Sequence, residues 1–155
     1  MTMKTVTALS FCLMFLVAAA AAQDIVGRKA PEISAEKWIG SGTLSLEALK
    51  GKPVVLFFWT SRSPLCRDIM SQAVLFRGEL KERNSELISL TSERNAERVR
   101  EFILENGISF PVGIGSGAKY SYSMDELPGY VIIGADGNIA WYGTDLSECR
   151  QRAFD

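Results

Sequence analysis

Apolar and polar residues follow one another in blocks along this chain of 155 residues, and the blocks predict an ordered series of strands and helices. Residues 53–59, PVVLFFW, are apolar without alternation, which is typical of a strand covered on both faces. Residues 64–81 place apolar side chains at intervals of three and four, which predicts a helix with one buried face. Residues 86–91 predict a second strand, and residues 92–106 predict a second helix.

The C-terminal part of the chain predicts a hairpin and a last helix. Two apolar runs, 130–133 and 138–142, flank Asp136-Gly137, and Asp-Gly between such runs is a strong hairpin signal. Residues 144–155 begin like a capped helix, whereas the glycine-rich residues 107–127 are expected to be irregular. The order of elements predicts an α/β fold, a mixed β-sheet with helices on both faces.

The first 22 residues have a pattern of their own. One lysine precedes an apolar stretch at residues 8–17, which is too short to span a bilayer at about 20 residues. Alanines then lead to Gln23, as small residues precede a signal-peptide cleavage site. We expect a signal peptide at 1–22 and one domain at 23–155, exported to the periplasm or the extracellular space, with no stable membrane anchor after cleavage. An uncleaved anchor is the less favoured alternative, because no second apolar run follows.

Composition excludes several classes of function. The chain has 17 Lys and Arg against 18 Asp and Glu, a net charge of −1, so we expect no nucleic-acid partner. It has no histidine, so neither a Ser-His-Asp triad nor an imidazole metal site can form. We expect no metal and no cofactor, and we interpret Asp136-Gly137 as turn chemistry. The charged run 93–101 is interpreted as a solvated helix face.

The turn after the first strand reads FWTSRSPLCR, residues 58–67. It resembles the thioredoxin-fold superfamily, in particular the TlpA/ResA-like (redoxin) exported thiol-disulfide oxidoreductases, whose pattern here is roughly FWATWCPPCRKE. The resemblance covers residues 28–143, and further matching segments appear in the family's order: Ala30-Pro31, residues 46–50, Gly51-Lys52-Pro53, Leu127-Pro128 and DGNI at 136–139.

The resemblance implies a four-stranded mixed sheet, a CxxC dithiol at the start of the helix after the central strand, and a cis-proline loop facing it. Cys66 matches the second cysteine and Pro128 the cis-proline, while Ser63 stands where the attacking cysteine belongs. A serine hydroxyl is a poor nucleophile without an activating base, and the chain has no histidine to supply one. The degenerate motif SPLC therefore cannot run the usual two-cysteine cycle.

The roles of the two cysteines of the mature domain stay open at this stage. We interpret Ser63 as the N-cap of the helix, with Pro64 at the first helical position. Cys66 is then either a thiolate stabilised by the helix N-terminus and the neighbouring arginines, or a buried thiol with a raised pKa. Cys149 is interpreted as a lone thiol, in preference to a disulfide with Cys66.

Three functions are compatible with these residues, and enzymatic turnover stays open in all of them. The first is a redox protein in which Cys66 alone forms mixed disulfides with protein thiols or reacts with oxidants. The second is a redox-inactive module that binds an extended peptide in a groove rimmed by Trp59, Leu65, Leu127 and Pro128. The third and least favoured is a one-cysteine peroxidase resembling peroxiredoxins, since the chain matches their PxxxTxxC signature incompletely.

Overall fold

The computed structural model of the protein describes residues 24–155, and the predicted signal peptide at residues 1–22 lies outside them. Within the described range there is one six-stranded sheet with four α-helices and a short 3-10 turn, Glu47–Leu49. The strands are β1 (Lys37–Ile39), β2 (Val54–Phe58), β3 (Glu86–Thr91), β4 (Val112–Ile114), β5 (Gly129–Ile133) and β6 (Ile139–Gly143). The helices are α1 (Pro64–Glu82), α2 (Ala96–Glu105), α3 (Ala118–Ser121) and α4 (Leu146–Phe154).

The strands lie in the order β1-β4-β3-β2-β5-β6, with β2 near the centre. β2 runs parallel to β3 and antiparallel to β5. The mixed α/β sheet predicted from the order of elements is therefore confirmed. Phe58, the last residue of β2, pairs with Gly129, the first residue of β5. This register brings the turn that follows β2 next to the segment that precedes β5.

The side chains of β2 alternate between two apolar layers, one on each face of the sheet. Val55, Phe57 and Trp59 pack with α1, α2 and α4, whereas the even-numbered residues of β2 pack with the N-terminal segment and α3. All five residues of β2 are buried, as expected for a strand covered on both faces. No helix within residues 24–155 is both long enough and apolar enough to cross a membrane.

Two expectations about the sheet are wrong. It has six strands instead of four, and residues 107–127 contain β4 and α3 instead of being irregular throughout. β1 and β4 are three residues long and pair with each other, and three residues are too few to show a period of two. Gly113 is a second reason why β4 was not predicted, because glycine is typical of loops. In the structure a Cβ at this position would lie 2.8 Å from Leu90 and 2.9 Å from Ala35. Close packing thus requires the glycine that the sequence pattern attributes to a loop.

Candidate functional site

The site begins where α1 begins. Ser63 has the extended backbone of an N-cap residue (φ −94°, ψ 121°), and its Oγ accepts a hydrogen bond from the Cys66 N–H at 3.3 Å. Pro64 follows as the first helical residue, where its missing N–H leaves no donor unpaired. Ser63 is thus the N-cap of α1, and it places Cys66 in the first helical turn, directly after the central strand.

Cys66 is completely buried, with 0% of its surface exposed. Burial raises the pKa of the Cys66 thiol above its ordinary value, although a backbone hydrogen bond from Thr60 and the Ser63 hydroxyl act in the opposite direction. The carboxylate of Glu93 adds to the increase. Of the two alternatives for Cys66, the geometry favours the buried thiol, which is protonated in the resting protein.

The two arginines that were expected to stabilise a Cys66 thiolate, Arg62 and Arg67, do not act on this thiol. Arg62 and Arg67 are exposed, and the Arg67 guanidinium lies 3.8 Å from Glu105 and over the ring of Phe102, 5.2 Å from its centroid. Neither arginine contributes to the pKa shift of the Cys66 thiol. The charge that acts on this thiol is therefore negative, which the sequence pattern did not indicate.

Glu93 is a site residue that the sequence reasoning missed. It was included in a charged run interpreted as a solvated helix face, but α2 begins only at Ala96, with Asn95 as its N-cap. The Glu93 carboxylate instead accepts hydrogen bonds from the Ser61 N–H at 2.7 Å and the Ser61 Oγ at 2.6 Å. The sequence did contain a signal for this position. Asparagine is a good N-cap residue, so Asn95 predicts a helix that begins after Glu93.

The second part of the site is the loop Leu127-Pro128 at the start of β5. The peptide bond between these two residues is cis, and both side chains are half-buried. The loop borders a cleft of about 320 Å³ between the first turns of α1 and the start of α4. Leu65, 65% exposed, lies on the opposite side of this cleft. Leu65, Leu127 and Pro128 are therefore brought together, as the groove hypothesis expects.

Trp59 does not belong to this group, and its predicted position at the rim of the groove is wrong. Only 1% of its surface is exposed, and its ring stacks on Phe102 with centroids 5.1 Å apart. The residue continues the alternation of β2 and so faces the layer of α1 and α2. The cleft is lined instead by Ile69 and Tyr130, which the sequence reasoning did not select.

Tyr130 forms part of the floor of the cleft and is itself buried. Its ring stacks on Phe57 at 5.1 Å, and its hydroxyl has no hydrogen-bond partner among the described residues. Burial raises the pKa of the Tyr130 hydroxyl, and the neighbouring thiols of Cys149 and Cys66 add to the increase. The phenol is therefore neutral and has a free donor next to both cysteines.

Cys149 lies in α4, and its side chain is in the same apolar layer as Cys66. It is fully buried, and burial raises the pKa of its thiol to about 12. Both cysteines are free thiols in the structure. The cleft and the cysteines lie at one end of the sheet, while a larger cavity of about 550 Å³ lies at the other end, beside the 3-10 turn and the hairpin.

The sheet order, the capped helix with a cysteine in its first turn and the adjoining proline loop define a thioredoxin-like protein. Consistent with this class, a profile of the AhpC/TSA family matches residues 26–142. The chain therefore belongs to the AhpC/TSA family. The matched range includes Ser63, Cys66 and Pro128.

Individual relatives agree with this assignment. The chain is 30% identical to the thiol-disulfide oxidoreductase ResA of Bacillus thuringiensis (strain Al Hakam) over 116 residues, 74% of this chain and 66% of the relative. It is 31% identical to ResA of Halalkalibacterium halodurans over 99 residues, 63% of this chain and 56% of the relative. The chain thus spans between 56% and 66% of the length of these relatives, less than two thirds in each case. The resemblance to ResA-like redoxins is confirmed.

Solved structures show the same fold. StoA from Bacillus subtilis superposes with a TM-score of 0.66 at 23% identity, over 79% of this chain and 97% of that chain. The thioredoxin domain of a thiol-disulfide oxidoreductase from Bacteroides vulgatus superposes with a TM-score of 0.73 at 17% identity, over 83% of this chain and 95% of that chain. At these identities the likeness concerns the architecture of the chain and not its chemistry.

Proposed function

We propose that the protein is an exported thioredoxin-like redox protein that reacts through one thiol, that of Cys66, with disulfides of other proteins. The observation that carries the proposal is the position of this sulfur. It lies in the first turn of a 19-residue helix, next to the backbone of Thr60 and the hydroxyl of Ser63, which both favour the thiolate. The relatives named above are thiol-disulfide oxidoreductases, which supports the same class of reaction.

The reaction proposed is one step of thiol-disulfide exchange. The Cys66 thiolate attacks one sulfur of a substrate disulfide, a bond forms between the two sulfurs, and the other substrate sulfur leaves as a thiolate. No net oxidation occurs, because one disulfide replaces another. Ser63 has an oxygen where the resemblance implies the sulfur of the attacking cysteine, so SPLC has no other thiol and the mixed disulfide at Cys66 is released only by an external thiol.

The substrate class follows from the cleft. Leu65, Leu127 and Pro128 give one part of the cleft an apolar surface, while polar residues such as Glu126 and Asp145 line the rest, and this surface suits an extended, partly apolar segment of a protein substrate. Export fits this chemistry because disulfides persist mainly outside the reducing cytosol. The signal-like pattern of residues 1–22 supports export.

The reaction can be tested with glutathione disulfide as the probe. We expect intact-mass measurement to reveal one glutathione adduct, and peptide mapping to assign it to Cys66. The adduct should disappear in Cys66→Ala and remain in Cys149→Ala. A protein that forms no adduct, or forms it only on Cys149, would contradict the proposal.

A binding module without redox activity is the second candidate, favoured by the complete burial of Cys66 and its raised pKa. The probe for it is fluorescein-labelled insulin B chain with carboxymethylated cysteines, followed by fluorescence anisotropy. If binding is the function, Cys66→Ala binds as wild type, whereas Leu127→Ser binds about tenfold more weakly because apolar contact is lost. The matched control is Leu104→Ser on α2, which is 82% exposed and lies outside the cleft.

The peroxidase alternative uses the same mass measurement with hydrogen peroxide as the probe. The Cys66 thiolate would attack one peroxide oxygen and keep it as a sulfenic acid, while the O–O bond breaks and the other oxygen leaves as hydroxide, which takes a proton from solvent to become water. If the intact mass of the protein is the same before and after peroxide treatment, while the protein still forms the glutathione adduct, this alternative is rejected.

A further inference from the structure

Cys66 has no exposed surface, so a disulfide can reach its sulfur only when its cover moves. The turn 60–63 runs from the end of β2 to the N-cap of α1 and lies next to the thiol. Ser63 Oγ accepts the Cys66 N–H at 3.3 Å, and the Ser63 N–H donates to the Thr60 carbonyl at 3.3 Å, while both residues lower the pKa of the thiol. The contacts that hold this turn in place therefore fix part of the surroundings of Cys66.

Glu93 holds the middle of this turn. Its two carboxylate oxygens accept hydrogen bonds from the backbone and the side chain of Ser61, at 2.7 and 2.6 Å, and Ser61 is only 7% exposed. The Thr91 hydroxyl, at the end of β3, lies 3.3 Å from the same carboxylate. The Glu93 carbonyl accepts from the Gly115 N–H at 2.8 Å, just after β4. Glu93 thus joins the turn to the ends of two strands.

Among residues 24–155, no lysine or arginine nitrogen lies within 4.0 Å of the Glu93 carboxylate. The other titratable groups in the same layer as Cys66 are the Tyr130 hydroxyl on β5 and the Cys149 thiol on α4, both neutral because burial raises their pKa values, while Arg62 and Arg67 are exposed. The negative charge of Glu93 therefore acts on the thiol without compensation and disfavours the thiolate.

We propose that Glu93 is a positioning residue that fastens the turn 60–63 over Cys66 and keeps the thiol covered and protonated until a substrate displaces the turn. The inference rests on the proposed reaction at Cys66. It assigns to one carboxylate two effects that can be separated by experiment: a charge that acts on the thiol, and hydrogen bonds that close the turn.

The test is the rate of alkylation of Cys66 by iodoacetamide, measured as a function of pH. The Cys66 peptide is quantified by mass spectrometry, so that Cys149 need not be replaced. Glu93→Gln keeps an acceptor oxygen but removes the charge, and we expect the midpoint of its pH profile to fall and its rate near neutral pH to rise about tenfold. Ser61→Ala removes one hydrogen bond and keeps the charge, so its rate should rise at every pH with an unchanged midpoint.

The matched control is Glu101→Gln, an identical change of charge on an exposed position of α2, and it should reproduce the wild-type profile. Circular dichroism verifies the fold of each variant, and Ser61→Ala still tests the closure of the turn if a Glu93 variant does not fold. A wild-type midpoint in Glu93→Gln, or wild-type rates in Ser61→Ala, would overturn the proposal. The glutathione adduct is measured separately, so an adduct that forms normally while Glu93→Gln has no effect rejects the role of Glu93 alone.

Discussion

At position 63 the chain has serine where the resemblance to ResA-like redoxins implies a cysteine, and a serine suits the start of a helix. Serine is among the best N-cap residues, and the Ser63 Oγ accepts the Cys66 N–H that the first turn of α1 otherwise leaves unpaired. The same hydroxyl lowers the pKa of the Cys66 thiol, against the effect of burial. Ser63 therefore stabilises the helix and favours the thiolate form of Cys66.

A cysteine at position 63 should complete the CxxC dithiol that the resemblance to ResA-like redoxins implies. We expect wild-type protein to leave the reduction of insulin by dithiothreitol at its background rate, and Ser63→Cys to accelerate it, because a second thiol can then resolve the mixed disulfide. Turbidity of the released insulin chains measures the rate. Ser63→Ala, the control without sulfur, should stay at background and lose about 1 kcal/mol of stability through the missing cap. Catalysis by wild-type protein would show that the missing thiol is supplied elsewhere.

At the scale of elements, the β3–β4 pair depends on the absence of a side chain at position 113. A Cβ at Gly113 would come within 2.8 Å of Leu90 and within 3.1 Å of Trp38, which belong to neighbouring strands. In such a variant the side chains of Leu90 and Trp38 would have to shift, and Ala35, whose Cβ would lie 2.9 Å away, has no flexible side chain that could move aside.

Gly113→Ala should therefore destabilise the protein by about 1 to 3 kcal/mol, the usual range for overpacking a core. Urea unfolding followed by tryptophan fluorescence measures the loss. Gly42→Ala is the matched control, because nothing lies within 4 Å of a Cβ at that position and its φ is not positive. Equal stabilities of the two variants would show that β4 has room that the structure does not indicate.

An ion-pair network joins α1 to β3. Glu86, at the start of β3, lies 3.1 Å from the Arg77 guanidinium and 3.2 Å from the Lys81 amine. Burial by itself would raise the pKa of Glu86, but hydrogen bonds from Arg77, Lys81 and the Leu87 N–H hold it below its ordinary value. The folded state thus prefers the ionised carboxylate.

A carboxylate with a lowered pKa stabilises the fold above its unfolded value of about 4.3, and this contribution is lost as the pH falls through the lower folded value. We expect Glu86→Gln to lose about 1 to 3 kcal/mol at neutral pH, and the difference from wild type to shrink when urea unfolding is repeated near pH 3. Glu82→Gln, at the exposed end of α1, should show neither effect. A difference that persists at low pH would mean that the charge of Glu86 is not what matters.

At the scale of the whole molecule, the domain uses residues close to the predicted cleavage site. The N–H groups of Gly27 and Ala30 donate hydrogen bonds to carbonyls of Ile139 and Gly137 at the β5–β6 hairpin. A cleavage site between Ala22 and Gln23 would leave this segment intact.

Expression in a bacterial host should therefore yield an exported form that begins at Gln23, as read by N-terminal sequencing. Leu16→Arg interrupts the apolar stretch, and the charge should block export because the stretch must enter an apolar environment. An exported protein that keeps Met1 would indicate an uncleaved anchor.

The confirmed sequence predictions are those carried by long patterns. β2, α1, β3 and the hairpin lie where the apolar periods put them, because each buries a continuous apolar face that the sequence must encode. Trp59 was misplaced because the residue type suits both a core and a groove, and only the pairing of β2 decides which face it joins. Glu93 was missed because its partner Ser61 is 32 positions away in the chain.

The sequence by itself determined the class of fold, the cap at Ser63, the absence of any histidine base and the presence of one cysteine in the SPLC motif. These depend on residue identity and on spacing within one element. Only the tertiary structure decided that Cys66 is covered, that Glu93 rather than an arginine faces it, and that Leu65 meets Leu127 and Pro128 across a cleft. Burial and charge at a site depend on distances between segments remote in the chain, and no local pattern encodes those distances.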